Sequence, residues 1–123
     1  MDLKRLRAPF AAAMLLSSAP VVAHHSVPVN FDQSREITIT GVITEIRWIN
    51  PHSRFRLDVK QEDGSMLEWL IEMGAINTMK RAGFPTERFV VGEPVTIIGN
   101  PGRRDRVVLL RTAVLGDGTR LSP

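Results

Sequence analysis

The chain contains no cysteine and no tyrosine. Without a thiol it forms no disulfide, no thiolate nucleophile and no zinc-finger-like site, even in a compartment that permits oxidation. Without tyrosine, and with Trp48 and Trp69 as its only tryptophans, it is short of the exposed rings on which single-strand nucleic-acid binders stack bases. Histidine is also scarce, with His24, His25 and His52 the full complement, so any imidazole chemistry must come from those positions. Long apolar runs are absent too. The stretch Ala8 to Leu16 is too short to span a bilayer comfortably, and no later segment does so. At 123 residues there is room for one domain and no second.

What is present begins with a leader. Lys4, Arg5 and Arg7 precede the apolar run, and small residues follow as far as Val21 and Ala23. This layout is that of a secretory signal peptide over residues 1–23, with His24 as the first mature residue and the periplasm as the expected compartment. Its removal takes three basic side chains and one acidic one, lowering the formal charge of +3 by two. A nearly neutral mature domain gives weak support to a polyanion partner, although local clusters still act.

The mature chain reads as an extended arm over residues 24–35 and a β-rich domain over 36–123. Ile37, Ile39 and Ile43 are apolar at spacing two, then the parity moves to Ile46 and Trp48, which marks a long first strand with a bulge or sharp bend. After Asn50-Pro51, the second strand sets Phe55, Leu57 and Val59 inward against Arg54, Arg56, Asp58 and Lys60. Asp63-Gly64 is a hairpin turn into a third strand with Leu67, Trp69, Ile71 and Met73 inward. Ile76 and Met79, three apart and followed by Lys80, Arg81 and Gly83, indicate a short helix. Val95 to Ile98 and Val107 to Val114 complete five strands, separated by a turn at Asn100-Pro101-Gly102. Three strands, a helix and two strands is the chain order of the OB-fold, a small five-stranded barrel; a five-stranded β-sandwich with a surface helix is the alternative.

Further strings carry a family resemblance: His24-His25-Ser26, Phe31-Asp32, Gly41-Val42, Trp48-Ile49-Asn50-Pro51-His52, Trp69, Glu72-Met73-Gly74, Arg81-Ala82-Gly83-Phe84 and Asp117-Gly118. In combination they resemble a family of exported bacterial proteins grouped as domain of unknown function 6152. The resemblance spans nearly the whole mature chain and implies export and a small β-rich fold. It brings no activity and no catalytic residues. Arg103-Arg104-Asp105-Arg106 is more basic than the family pattern, so inferences from that cluster concern this chain.

Two candidate sites follow from the residues. OB barrels receive ligands across strands two and three, flanked by the first loop and the loop joining strands four and five. Arg54 and Arg56 on the second strand, with Arg103, Arg104 and Arg106 in the later loop, form a candidate ligand site for a phosphate or carboxylate, which guanidinium forks bind bidentately. The bland alternative is a solvated face paired with Asp58, Glu68 and Glu72. The second is a metal site. Cleavage before His24 would give one residue an α-amine and an imidazole, a chelate suited to copper, with His25 and His52 as further nitrogen donors and Glu72 as a carboxylate partner of His52. Against it stand an ordinary terminus and a His52 that merely hydrogen-bonds its loop.

Catalysis finds no such constellation. His52 and Ser53 are neighbours and point to opposite faces of a strand, and Glu68 and Glu72 lie roughly 13 Å apart at strand rise. The expectation is an exported periplasmic binding or accessory protein, not an enzyme, that takes a small ligand, a metal ion or an envelope component and no nucleic acid.

Overall fold

The computed structural model describes residues 26–123. Strand β1, Ile37–Arg47, runs antiparallel to two partners in turn. Its first half, Ile37 to Val42, pairs with β4 (Pro94–Pro101), and its second half, Val42 to Arg47, pairs with β2 (Arg54–Lys60). The change of partner needs a sharply coiled strand. A register shift between Ile43 and Glu45 supplies it, at the place where the apolar parity changes in the sequence. Strand β3, Met66–Glu72, pairs with β2, and β5, Val107–Leu115, pairs with β4. A short parallel contact of Leu70 to Glu72 with Val107 to Leu109 closes the ring. Around the barrel the order is β1-β2-β3-β5-β4, which is the OB-fold. A two-residue strand, β6 (Arg120–Leu121), is added outside it against β5.

The interior follows the alternation of the strands. Phe55, Leu57, Ile71, Val95, Ile97 and Val108 are fully enclosed. Between β3 and β4 the chain forms α2, Ile76–Arg81, and a 3-10 turn, Thr86–Arg88. These bring Met79, Phe84 and Phe89 into the same core. Phe89 is the hub of a ring cluster, 5.9 Å from Trp48, 5.7 Å from Phe55 and 5.5 Å from Phe84 between centroids. Edge-on and offset contacts of this kind add to plain area burial.

Two glycines are dictated by neighbouring backbone. A Cβ on Gly41 would stand 2.6 Å from the Asp58 carbonyl oxygen, and one on Gly99 would stand 2.1 Å from that of Leu109. Both lie where strands cross closely to bend the wall, and Gly99 sits at the register shift between β4 and β5.

Several expectations are corrected. The arm is not extended: Ser26–Asn30 forms a short helix, α1, and Phe31 is buried and bridges to Gly102. The arm is held by the loop between β4 and β5, where Arg103 donates its backbone N–H to the Asn30 carbonyl and its Nε to the Val29 carbonyl. The turn expected at Asn100-Pro101-Gly102 falls later, because β4 continues to Pro101. Asn100 is buried there, donating to the Arg35 carbonyl at 2.6 Å and accepting from Arg111 Nε at 2.6 Å. On β3 the inward parity does not give uniform burial. Leu67 is exposed and Trp69 is only half-buried, because β5 reaches β3 only at its last residues and leaves the wall beside Trp69 uncovered.

Candidate functional site

The outer face of β1, β2 and β3 is organised in rows by strand register. One row runs Arg47, Arg54, Glu72, the next Glu45, Arg56, Leu70, and a third Val42, Asp58, Glu68. Arg56 lies among acids. It pairs with Glu68 and, at 3.2 Å, with Glu45, which also binds Arg47. Hydrogen bonding from Arg47 and then the charges of Arg47 and Arg56 hold the Glu45 carboxyl below the ordinary carboxylate range. Arg54 makes no ion pair among the described residues. It lines a surface cavity of about 160 Å³ together with Glu45, Arg47, Phe55 and Arg56.

The loop between β4 and β5 approaches the same face from the side. Arg104, 79% exposed, reaches Glu72 at 3.7 Å, and Arg106 pairs with Asp105 at 3.0 Å. Leu70 donates its N–H to the Arg106 carbonyl at 2.9 Å, which fixes the loop to β3. Arg106 has φ of 53°, a left-handed conformation uncommon for a side chain of this kind. The five arginines expected to act together are thus divided. Arg54 is available on the face, Arg56 is neutralised, Arg103 holds the arm, and Arg104 and Arg106 lie in the loop. Glu72 joins the two groups, opposite Arg54 in register and against Arg104. Lys60 is exposed at the far end of β2.

Arg47 belongs to this face although the sequence does not single it out. It lies two residues beyond Glu45 on the outward parity of β1, but the bulge that puts it opposite Arg54 makes its face hard to assign from spacing alone.

The metal residues are not assembled. His24 and His25 lie outside the described residues. His52 is exposed on the first barrel loop, and Glu72, expected as its carboxylate partner, engages Arg104 instead. Among the described residues no group of three or more histidine, cysteine or acidic side chains could hold a metal ion. The residue that fastens this loop is the buried Ser53, not His52. Its Oγ accepts from the Ile49 N–H at 3.2 Å and donates to the Ile49 carbonyl at 3.0 Å. The Asn50–Pro51 peptide within the loop is cis.

Trp69 carries an unusual burden. Its indole N–H is buried and has no acceptor among the described residues. An unpaired buried donor costs about 1–3 kcal/mol.

The turns hold further acids in the charged state. Ser34 donates to Asp32, Ser65 to Asp63 and Thr119 to Asp117, and each carboxyl lies below its ordinary value chiefly for that reason. A depressed carboxylate stabilises the fold above its unfolded-state pKa and ceases to do so as pH falls through its folded value. The melting temperature should therefore be level from neutral pH down to about pH 5 and decline below it. A thermal melt at pH 3 matching that at pH 7 would contradict these bonds.

The barrel is similar to solved structures at low identity. One is the mitochondrial single-stranded DNA-binding protein of S. cerevisiae, 14% identical with a TM-score of 0.52, covering 67% of this chain and 93% of that one. Another is the N-terminal domain of the PriB protein of Thermoanaerobacter tencongensis, 19% identical with a TM-score of 0.50, covering 68% and 97%. At such identities the likeness shows the fold alone. No curated protein matches the sequence. No helix among the described residues is long and apolar enough to cross a membrane. The family model that matches covers residues 12–110, which reach into β5. With nearly all of the barrel inside that match, the chain belongs to the family described as Family of unknown function (DUF6152).

Proposed function

We propose that this protein is an exported, non-catalytic barrel that binds an anionic ligand on the outer face of β1 and β2, with Arg47 and Arg54 as the receiving groups. One observation carries the reading: two arginines stand directly opposite each other in antiparallel register, and Arg54 lacks an ion pair among the described residues. Like charges placed this way repel, and an anion between them removes the repulsion. Arg54 lies on β2, one of the two strands across which OB barrels commonly take ligands. Nucleic acid is disfavoured as the anion because the outer positions of β2 and β3, Arg54, Arg56, Asp58, Lys60, Met66, Glu68, Leu70 and Glu72, include no ring for a base to stack on. Export rests on the leader pattern of Lys4, Arg5, Arg7 and the apolar run that follows. Intact-mass measurement of protein from the periplasmic fraction should give a chain starting at His24; a chain retaining residues 1–23 would rule export by cleavage out.

The binding test is retention on an anionic polymer, heparin or dextran sulfate, as salt is raised. The double variant Arg47→Glu, Arg54→Glu should bind about tenfold more weakly and still fold, since both side chains are exposed, with a modest fall in melting temperature because Glu45 loses its pair with Arg47 and Glu72 faces a like charge. Lys80→Glu, Arg81→Glu on α2 changes net charge equally and should retain most binding. Equal losses in the two double variants would reduce the effect to net charge and remove the site.

A further inference from the structure

The wall of the barrel has an opening that the reading above does not use. Strand β5 meets β3 only from Leu70 to Glu72, while the first half of β1 turns away to pair with β4. On the side away from β2, the edge of β3 before Leu70 therefore has no strand beside it among the described residues. What remains is a surface cleft of about 470 Å³. Its apolar lining is Ile37, Trp69 and Val107, with Pro101 and Gly102. Its remaining lining is strongly one-sided in charge, with Arg35, Arg103, Arg104 and Arg106 against a single acid, Asp105.

We propose that this cleft binds one molecule of an anionic amphiphile, with its apolar body against Trp69 and Ile37 and its charged head at the arginine rim. An apolar floor alone would suit any hydrocarbon, and the arginines of the lining, which outnumber its acids even though Arg104 also reaches Glu72 and Arg106 pairs with Asp105, favour a negatively charged head. The loop is also held in place before any ligand arrives. Leu70 pins it through the Arg106 carbonyl, and the arm pins it through Arg103, so the rim arginines are carried on a fixed backbone. The cleft shares neither Arg47 nor Arg54 and stands or falls separately from the polymer-binding face.

The test uses the purified protein and dodecanoate below its micellar concentration, followed by tryptophan emission and by calorimetry. Dodecanoate should shift the emission to the blue and saturate, and Trp69→Phe should abolish the shift while Trp48 remains. Dodecyltrimethylammonium, with the same tail and a positive head, should bind at least tenfold more weakly. Inorganic phosphate, a head without a tail, should leave the emission unchanged. The variant Arg35→Glu, Arg104→Glu should lose at least tenfold in calorimetric affinity at an unaltered melting temperature, whereas Arg47→Glu, Arg54→Glu should bind dodecanoate as the parent does. Equal binding of the cationic amphiphile, undiminished affinity in Arg35→Glu, Arg104→Glu, or flotation with phosphatidylglycerol vesicles in the absence of any dodecanoate response would each overturn the proposal.

Discussion

Replacing Gly99 by alanine is expected to be among the most damaging single-methyl changes this protein can receive. The added Cβ would lie 2.1 Å from the Leu109 carbonyl oxygen and 2.8 Å from a methyl of Val108. Neither neighbour can give way cheaply. The oxygen belongs to the backbone of β5, and Val108 is fully enclosed in the core. Relief requires β4 and β5 to separate at their register shift, where Gly99 pairs with Leu110. Overpacking of a well-filled interior typically costs about 1–3 kcal/mol, and a backbone collision belongs at or beyond the upper end. For a domain of this size a loss of about 3 kcal/mol lowers the melting temperature on the order of 15 °C. Gly74→Ala is the matched control, since its Cβ would meet only a Met79 side-chain carbon at 3.9 Å. It should shift the melt by no more than a few degrees. A Gly99→Ala protein that melts within that margin of the parent would refute the close strand crossing.

The second large effect is expected at Phe89. This ring is buried and contacts three other aromatic rings, Trp48 edge-on at 77°, Phe55 tilted at 42° and Phe84 stacked at 27°. Truncation to alanine removes the hub and leaves a cavity between the barrel and its helical cap. The expected loss is about 3–5 kcal/mol by urea unfolding. Phe89→Leu keeps much of the volume and should cost well under half as much. Because Trp48 packs on Phe89, its fluorescence should change in the native baseline of the alanine variant. If alanine and leucine were equally mild, below about 1 kcal/mol, Phe89 would not be the organising contact of the core.

Trp69 behaves differently from these two residues, and the difference shows where sequence reading stops. Alternation places Trp69 on the inward side of β3, and on that basis it should be as enclosed as Ile71. The structure leaves it half-buried because burial depends on what the neighbouring strand covers, and β5 arrives only at Leu70. The same applies to the arginines. Their presence on β2 and in the late loop was readable, as was the outward parity of Arg54 and Arg56. That Glu45 and Glu68 would neutralise Arg56, and that Arg103 would hold the arm, depends on pairings between strands and segments far apart in the chain.

The order of the five barrel strands, the bulge in β1, the inward residues of β2, the short helix after β3 and the family were all determined by the sequence itself, whereas α1 and β6 were not. Each follows from local regularities: a period of two, a shift in parity, turn residues at strand ends, and short motifs that need no knowledge of distant partners. Tertiary structure alone decided how the barrel closes, which glycines must lack a side chain, which arginine of the β1–β2 face lacks an acidic partner among the described residues, and where the wall stays open. Those outcomes depend on register, and register is a relation between segments. A shift of one residue would turn every outward arginine inward, so the face that Arg47 and Arg54 share exists only once β1 and β2 are locked together.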